Sequence, residues 1–524
     1  MQNAHRDVSP KSIKLVSLNC PFSSFNLIDN EFQGIPAIRR CFSLARSFHC
    51  KTLLIEDISP AGIIEEENVE LLTLYPQYVC RGLKRLSFWK SDFQVINDLA
   101  NQNNNDFVGY VILKRDYIST QNKDQWHIFE AVFKKYEHKH NCVPSPNNYD
   151  VSFCDKRFSI KGILYCQQNT LNKSCAHVAL RSLLSRLIPN ENISYRMLNK
   201  IAQQVSSKPY HPSDGLTVAC MQEIFKAFSI GYADLDYEKT SIDNPNIRTD
   251  IPYQKHLYAG IESGCGGLLG FSMSGPMAKD AKHIIPFYGH TFNKDTWAPD
   301  ADMSYFNIGG GVGYIPSEMW TSSFIGHDDN FGPNFCVPRL YVKPEQVQYV
   351  VELKKSKACY GGIIAEAQAL QFLYSLHSKL EKKNQWIKRL RTHSDPKNQT
   401  VVLRALCIEQ KEYLTHLSSI QCWKGKKESS FLIDALSGLL PELLWVVEIS
   451  IPHLFPANER KLGEIVLNAT LVRDDSKEMD YKLFLLARLP EHYYLINSTN
   501  QYGPNFIKVP SEFVSHTPLI QTIQ

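Results

Sequence analysis

Apolar and polar positions along the chain alternate between a helical and a strand-like period. In PAIRRCFSLARSFHC, from Pro36, apolar residues recur at three- and four-residue spacing and predict a helix. KTLLIED, FVGYVILK and HIFEAVFKKY, between Lys51 and Tyr136, are short runs rich in branched and aromatic residues and predict strands. Residues 1–143 therefore read as a mixed α/β unit, closed by the turn-rich stretch PSPNNYD from Pro144. From about residue 346, GGIIAEAQALQFLYSLHSKLEKKNQWIKRLR predicts a long helix, followed by a second helical stretch and several strands. Three segments follow from this pattern: 1–145, 146–345 and 346–524.

The middle segment carries the candidate chemistry. In NKSCAHVALRSLL, the polar Asn172, Lys173 and Ser174 give way to Val178, Leu180, Leu183, Leu184 and Leu187 at helical spacing. Cys175 is thereby placed in a first helical turn, where unpaired N–H groups and the helix dipole favour thiolate over thiol. Upstream, GILYCQQ predicts a strand ending at Gln167 and Gln168, whose side-chain amides suit an oxyanion donor. Downstream, His283 opens the apolar strand IIPFYG, and the turn Asn293-Lys294-Asp295 leads on to Thr296-Trp297-Ala298-Pro299-Asp300. This predicts a hairpin with a histidine on one arm and, beyond the other, a carboxylate able to orient the imidazole. Asp300 is the first choice for that acid and Asp295 the second, with Asp302 inside the same register uncertainty. His290, seven residues after His283, falls on the opposite sheet face, and His177 leaves the helix on a different side from Cys175 as a surface or supporting residue.

These stretches resemble the papain-like superfamily of cysteine peptidases, nearest to its bacterial branch of bacteriocin-processing peptidases. CAHVAL parallels that branch's nucleophile helix, with Ala176 and His177 where the family typically has Gly-Pro. DGLTVACMQEIFKAFSIG resembles its second helix, ESGCGGLLGFSMSG the segment before the histidine strand, and HIIPFYG the histidine strand itself. The order glutamine, cysteine, helix, helix, strand, histidine, acid runs from about residue 160 to 305. The resemblance implies an α+β, papain-like fold, a nucleophile helix packed on an antiparallel sheet, with flanking α/β regions. It also implies Cys175 as nucleophile, His283 as base, Asp300 as orienting acid and Gln168 or Gln167 as oxyanion donor. Asn169 has the spacing to Cys175 closest to the family norm. Peptide-bond cleavage through an acyl-enzyme is the implied reaction; the same groups serve deamidation or transamidation, and a catalytically inactive interaction protein on this fold is the competing class.

Composition adds boundaries to this picture. At 524 residues, with 43% hydrophobic and 21% charged residues, the chain predicts a globular, multidomain protein. A formal charge of +4 does not mark an electrostatic binder of nucleic acid or membrane. The basic section Lys379, Lys382, Lys383, Lys388, Arg389 and Arg391 around Trp386 is interleaved with leucine and glutamate and reads as a solvated helix face. The fourteen cysteines are scattered, form no CxxC pair and follow no signal-peptide pattern, so reduced thiols in a cytoplasmic protein are expected. His138, His140 and Cys142 read as a loop beside PSPNNYD rather than a metal site, and GGGVG at Gly309 lacks the lysine of a phosphate loop. No cofactor or metal is expected, a protein or peptide is the expected substrate, and oligomeric state is not encoded in the pattern. FGPNF at Phe331 and YGPNF at Tyr502 are read as turns leading into strands, with the aspartates of GHDDN as capping residues.

Overall fold

The computed structural model describes residues 4–18, 28–135, 141–169, 171, 175–205, 215–237, 251–272, 282–292, 314–380, 401–420, 427–452, 454–455, 460–477, 479–489, 492–495 and 505–508. The protein is mixed α+β and has three sheets, one curled into an antiparallel half-barrel. The chain divides into two compact units assembled from non-consecutive stretches. The first comprises residues 1–228, 283–286 and 325–337; the second comprises 229–282, 287–324 and 338–524.

In the first unit, strands β1 (Ser12–Ser17), β2 (Thr52–Asp57), β3 (Tyr78–Trp89), β4 (Phe107–Ile118) and β5 (Lys123–Lys134) run in spatial order. After the two-residue β6 (Asn141–Cys142), the hairpin β7 (Asn147–Phe153) and β8 (Lys156–Tyr165) completes the sheet, β8 pairing with β5. All these pairings in the sheet are antiparallel. The sheet therefore runs across the boundary expected at residue 145. Its two faces are covered by different helices. Helix α1 (Pro36–Ser47), with Pro36 fixing the first turn, buries Ala37, Ile38, Cys41, Phe42 and Ala45 against Val111, Leu113 and Phe133. On the other face, Ile63 and Ile64 of α2 (Ile63–Leu74) and Val178 of α3 (Cys175–Leu187) join Tyr110, Ile112, Val132 and Leu164.

Helix α3 begins at Cys175, as its pattern predicts, and is followed by α4 (Tyr195–Val205) and α5 (Val218–Ala227). Thr217 caps α5 by accepting from the Cys220 N–H at 3.2 Å. The left-handed residue after that helix is Ser229, at φ 54°, and Gly231 opens a strand.

The second unit contains β9 (Gly231–Asp236), α6 (Tyr253–Glu262) and β10 (Gly267–Ser272), the last entered through left-handed Gly264 and Gly266. Strands β11 (Lys282–Phe292), β13 (Thr321–Asp328) and β14 (Gly332–Pro338) are divided between the two units, whereas β12 (Tyr314–Pro316) and β15 (Val347–Lys354) belong to the second. β15 pairs antiparallel with both β9 and β10. The remaining sheet starts with β12 parallel to β16 (Val401–Glu409), then continues antiparallel through β17 (Leu443–Ser450), β18 (Gly463–Asn468), β19 (Phe484–Leu489), β20 (His492–Leu495) and β21 (Asn505–Lys508). Helix α7 (Gly362–Leu380) covers one face with Ala365, Ala369, Phe372 and Leu373. Helices α8 (Gln410–Ser419) and α9 (Ser430–Leu439) cover the other with Tyr413, Leu417 and Leu436. Burial on both faces explains why β16 and β17 read as nearly continuous apolar runs.

One row of that sheet is charged. Arg404 lies directly opposite Glu448, Glu448 opposite Glu464, and Glu464 opposite Arg488. All four are buried. Arg404 Nη1 donates to Glu448 at 2.7 Å, Lys461 bridges Glu448 and Glu464 at 3.0 and 2.5 Å, and Arg488 Nη1 donates to Glu464 at 2.9 Å. Beyond the row, Arg404 also holds Glu262 of α6, which accepts from His290 Nε2 at 2.5 Å.

Among the described residues, no helix is long and apolar enough to cross a membrane. The basic stretch from Lys382 to Arg391, together with His138, His140, Gly309 and the YGP of the second echo, lies outside the described residues.

Candidate active site

The segment that leads into α3 is tied to the first sheet by a side chain acting as backbone. Gln167 N–H donates to the Ile128 carbonyl, and the Ile128 N–H donates to Gln167 Oε1, both at 2.9 Å. The Gln167 carboxamide oxygen is committed to prolonging the ladder past the end of β8. Gln168 is half-buried. Asn169 donates to Glu67 of α2 at 3.4 Å, and Tyr75 O–H donates to the Leu171 carbonyl at 3.2 Å.

Helix α3 is anchored to the sheet through Arg181. Its guanidinium donates to the Phe129 carbonyl at 3.0 Å and to Glu130 at 2.9 Å. Glu130 also accepts from Arg6 and from Tyr110 O–H, each at 2.6 Å, and lies 3.2 Å from His5 Nε2. Burial alone would favour the protonated acid, but these neighbours hold the Glu130 pKa well below the ordinary carboxylate range. His177 is buried rather than on the surface and hydrogen-bonds Asn199 Oδ1 through Nε2 at 2.7 Å. Burial lowers its pKa to about 4, so at neutral pH it is uncharged.

His283 is buried at the start of β11, in the same unit as Cys175. Its Nε2 lies 3.3 Å from Asp328 Oδ2 and 3.5 Å from Asp329 Oδ1. Both carboxylates sit where β13 turns into β14. The other oxygen of Asp328 accepts from the N–H groups of Asn330 at 2.8 Å and Phe331 at 3.2 Å, so the cap of the turn also presents an oxygen to the imidazole. FGPNF seats this turn on α1. Gly332 has φ 114°, and a Cβ there would meet Arg40 Cβ at 2.7 Å, while Arg40 donates to the carbonyls of Pro333 and Asn334 at 3.2 and 2.6 Å. Tyr165 O–H reaches the carbonyls of Asp328 and Asp329 at 3.3 and 3.4 Å, and buried His327 accepts from the Asn334 N–H at 3.2 Å.

The electrostatics differ from the expectation at Cys175. The N–H groups of the first helical turn do pull its pKa down, but burial and then the charge of Asp329 outweigh them and push the thiol up to about 11. The resting form is therefore thiol, not thiolate. For His283, burial opposes protonation, yet the hydrogen bond that the ring donates to Asp328 and the charges of Asp329 and Asp328 win and raise its pKa. Asp329 is raised to about 6, first by burial and then by repulsion from Asp328, with His283 acting in the opposite direction.

Asp295, Asp300 and Asp302 lie outside the described residues. The carboxylates that the structure brings to His283 are Asp328 and Asp329, from a strand end 45 residues further along the chain. Their sequence signal is GHDDN, an acidic doublet closing an apolar strand ahead of a Gly-Pro turn. His290 is bonded to Glu262, both in the second unit.

No known protein family, curated protein or solved structure matches this chain.

Proposed function

We propose that the chain is a papain-like thiol enzyme, most simply a cysteine peptidase, with Cys175 as nucleophile, His283 as general base and Asp328 as orienting acid. The observation that carries this reading is the placement of His283 Nε2 against a carboxylate fixed by two backbone N–H groups, while Asp329 acts electrostatically on both His283 and Cys175. In the reaction, Cys175 Sγ forms a bond to a substrate carbonyl carbon as its proton passes to the second imidazole nitrogen, the one not facing Asp328. The Gln168 amide is the group assigned to the oxyanion. Collapse expels the amine, which takes the proton from His283, and water or another amine then releases the acyl group from sulfur. Peptide cleavage, deamidation and transamidation differ only in leaving group and acceptor.

A second reading, an inactive papain-fold interaction protein, is favoured by one observation, the thiol held at about 11. A pooled peptide-amide substrate library, read by mass spectrometry with wild type, Cys175→Ala and Asp328→Asn, separates the two. Turnover lost in Cys175→Ala and reduced about 10²–10⁴-fold in Asp328→Asn is the expected result. Turnover indifferent to Cys175→Ala overturns Cys175 as the nucleophile, and no turnover by wild type, with and without chelator, overturns the enzyme reading in favour of the interaction protein.

A further inference from the structure

Asp329 has no role in the proposed chemistry beyond raising its neighbours' proton affinity, yet it is held almost completely out of solvent, at 4% exposure. Neither of its carboxylate oxygens has a hydrogen bond of ordinary geometry. Buried carboxylates are normally paired or bound to a cation. Among the described residues, no lysine or arginine forms an ion pair with Asp328 or Asp329, so two acidic groups face one imidazole.

The spacing points to what would complete this set. Nε2 of His283 stands 3.3 and 3.5 Å from the two carboxylate oxygens, longer than the ~2.7–2.9 Å of a strong charge-assisted hydrogen bond. Ligands bonded to a tetrahedral zinc ion at ~2.0–2.1 Å stand about 3.3–3.4 Å from one another. One ligand atom from each of His283, Asp328 and Asp329 lies within 4.8 Å of the others, so small side-chain adjustments bring all three onto one ion. The charges also close, because a dication balances two carboxylates and leaves a neutral imidazole to coordinate. Imidazole with carboxylates suits Zn²⁺ and similar divalent ions, not soft Cu(I).

We propose that His283, Asp328 and Asp329 form a divalent transition-metal site of zinc type, and that metal occupancy withdraws His283 from Cys175 and so silences the thiol. The site stands on its own geometry; the silencing rests on the thiol-enzyme reading above. Bound metal blocks the base because a neutral imidazole that ligates through Nε2 carries its proton on Nδ1, the nitrogen that must accept the proton of the thiol, and because the orienting carboxylate of Asp328 is taken by the ion.

The test uses the full chain, stripped with chelator and titrated with Co²⁺ and Zn²⁺. Visible absorption of bound Co²⁺ and metal content after gel filtration are the readouts. One equivalent is expected to bind, with the same Co²⁺ spectrum in Cys175→Ser and affinity lower by at least about tenfold in Asp329→Asn and His283→Gln. Binding unchanged by both ligand variants overturns the site. If a ligand variant fails to fold, the wild-type titration decides: no saturable Co²⁺ spectrum removes the proposal. Zinc is also expected to abolish Cys175-dependent turnover, with recovery on adding chelator. Metal binding without any Cys175-dependent turnover would remove the thiol reading and leave the metal site standing; zinc-insensitive turnover in a chain that binds metal would remove the silencing alone.

Discussion

At Cys175 the helix terminus and the environment oppose one another, and the environment wins. The first-turn N–H groups stabilise a thiolate, but desolvation and the Asp329 charge hold the proton on sulfur up to about 11. Iodoacetamide labelling of Cys175 is therefore expected to rise steadily from pH 7 to 10 with no plateau in the acid range, and Asp329→Asn is expected to shift that rise to lower pH; a plateau near pH 5 in wild type would contradict it. Asp329 also costs stability. An acid whose folded pKa is raised to about 6 is equally protonated in both states below its ordinary value of 3.8, and its unfavourable ionisation grows as pH rises between the two. Asp329→Asn is expected to stabilise the metal-free chain by about 1–3 kcal/mol at pH 7.5 and by little at pH 3.5, read from denaturant melts. The places of Cys175 and His283 near the starts of their elements were legible, because the period of each element is plain. The approach of Asp328 to His283 was not, since its capping function at a turn explained it fully until the turn was seen beside His283.

Elements position these groups through a few contacts that can be broken one at a time. Arg181 fixes α3 to Glu130, and Arg181→Met leaves a buried carboxylate with fewer donors, so a loss of about 3 kcal/mol in chemical denaturation is expected. Gly332 permits the close approach of the β13–β14 turn to α1. Gly332→Ala puts a Cβ 2.7 Å from Arg40 Cβ at a positive φ, and a cost of about 1–3 kcal/mol is expected, with a larger proportional fall in turnover because Asp328 moves with the turn. Several elements were readable from periodicity: α1, α3, α5, β2, β4, β5, β10 and β11 all lie where their patterns put them. Their partners were not, because a strand's side-chain alternation reports which faces are buried and is silent about which strand lies alongside.

On the scale of the whole molecule, the two units draw on interleaved stretches rather than on three consecutive segments. The turn-rich run at Pro144 looks like a border, yet β7 and β8 beyond it pair back onto β5, a connection that composition cannot reveal. The chain also carries carboxylates whose pH behaviour is opposite to that of Asp329. In the second unit, burial is outweighed by Arg404 and His290, which hold Glu262 at about 2, and Lys461 and Arg488 hold Glu464 below the ordinary range. A folded pKa below the unfolded one gives stability that is present above the ordinary carboxylate range and lost as pH falls through it. Melting temperature is accordingly expected to fall steeply between pH 5 and 2, and Arg404→Met to flatten part of that fall. The row of Arg404, Glu448, Glu464 and Arg488 has another consequence. Strands as uniformly apolar as LLWVVEIS and GEIVLN could slide past each other by two residues and still bury greasy side chains on both faces. Such a slide would strand each charge opposite hydrocarbon, so the row works like the wards of a lock, admitting one alignment of four strands and rejecting its near neighbours.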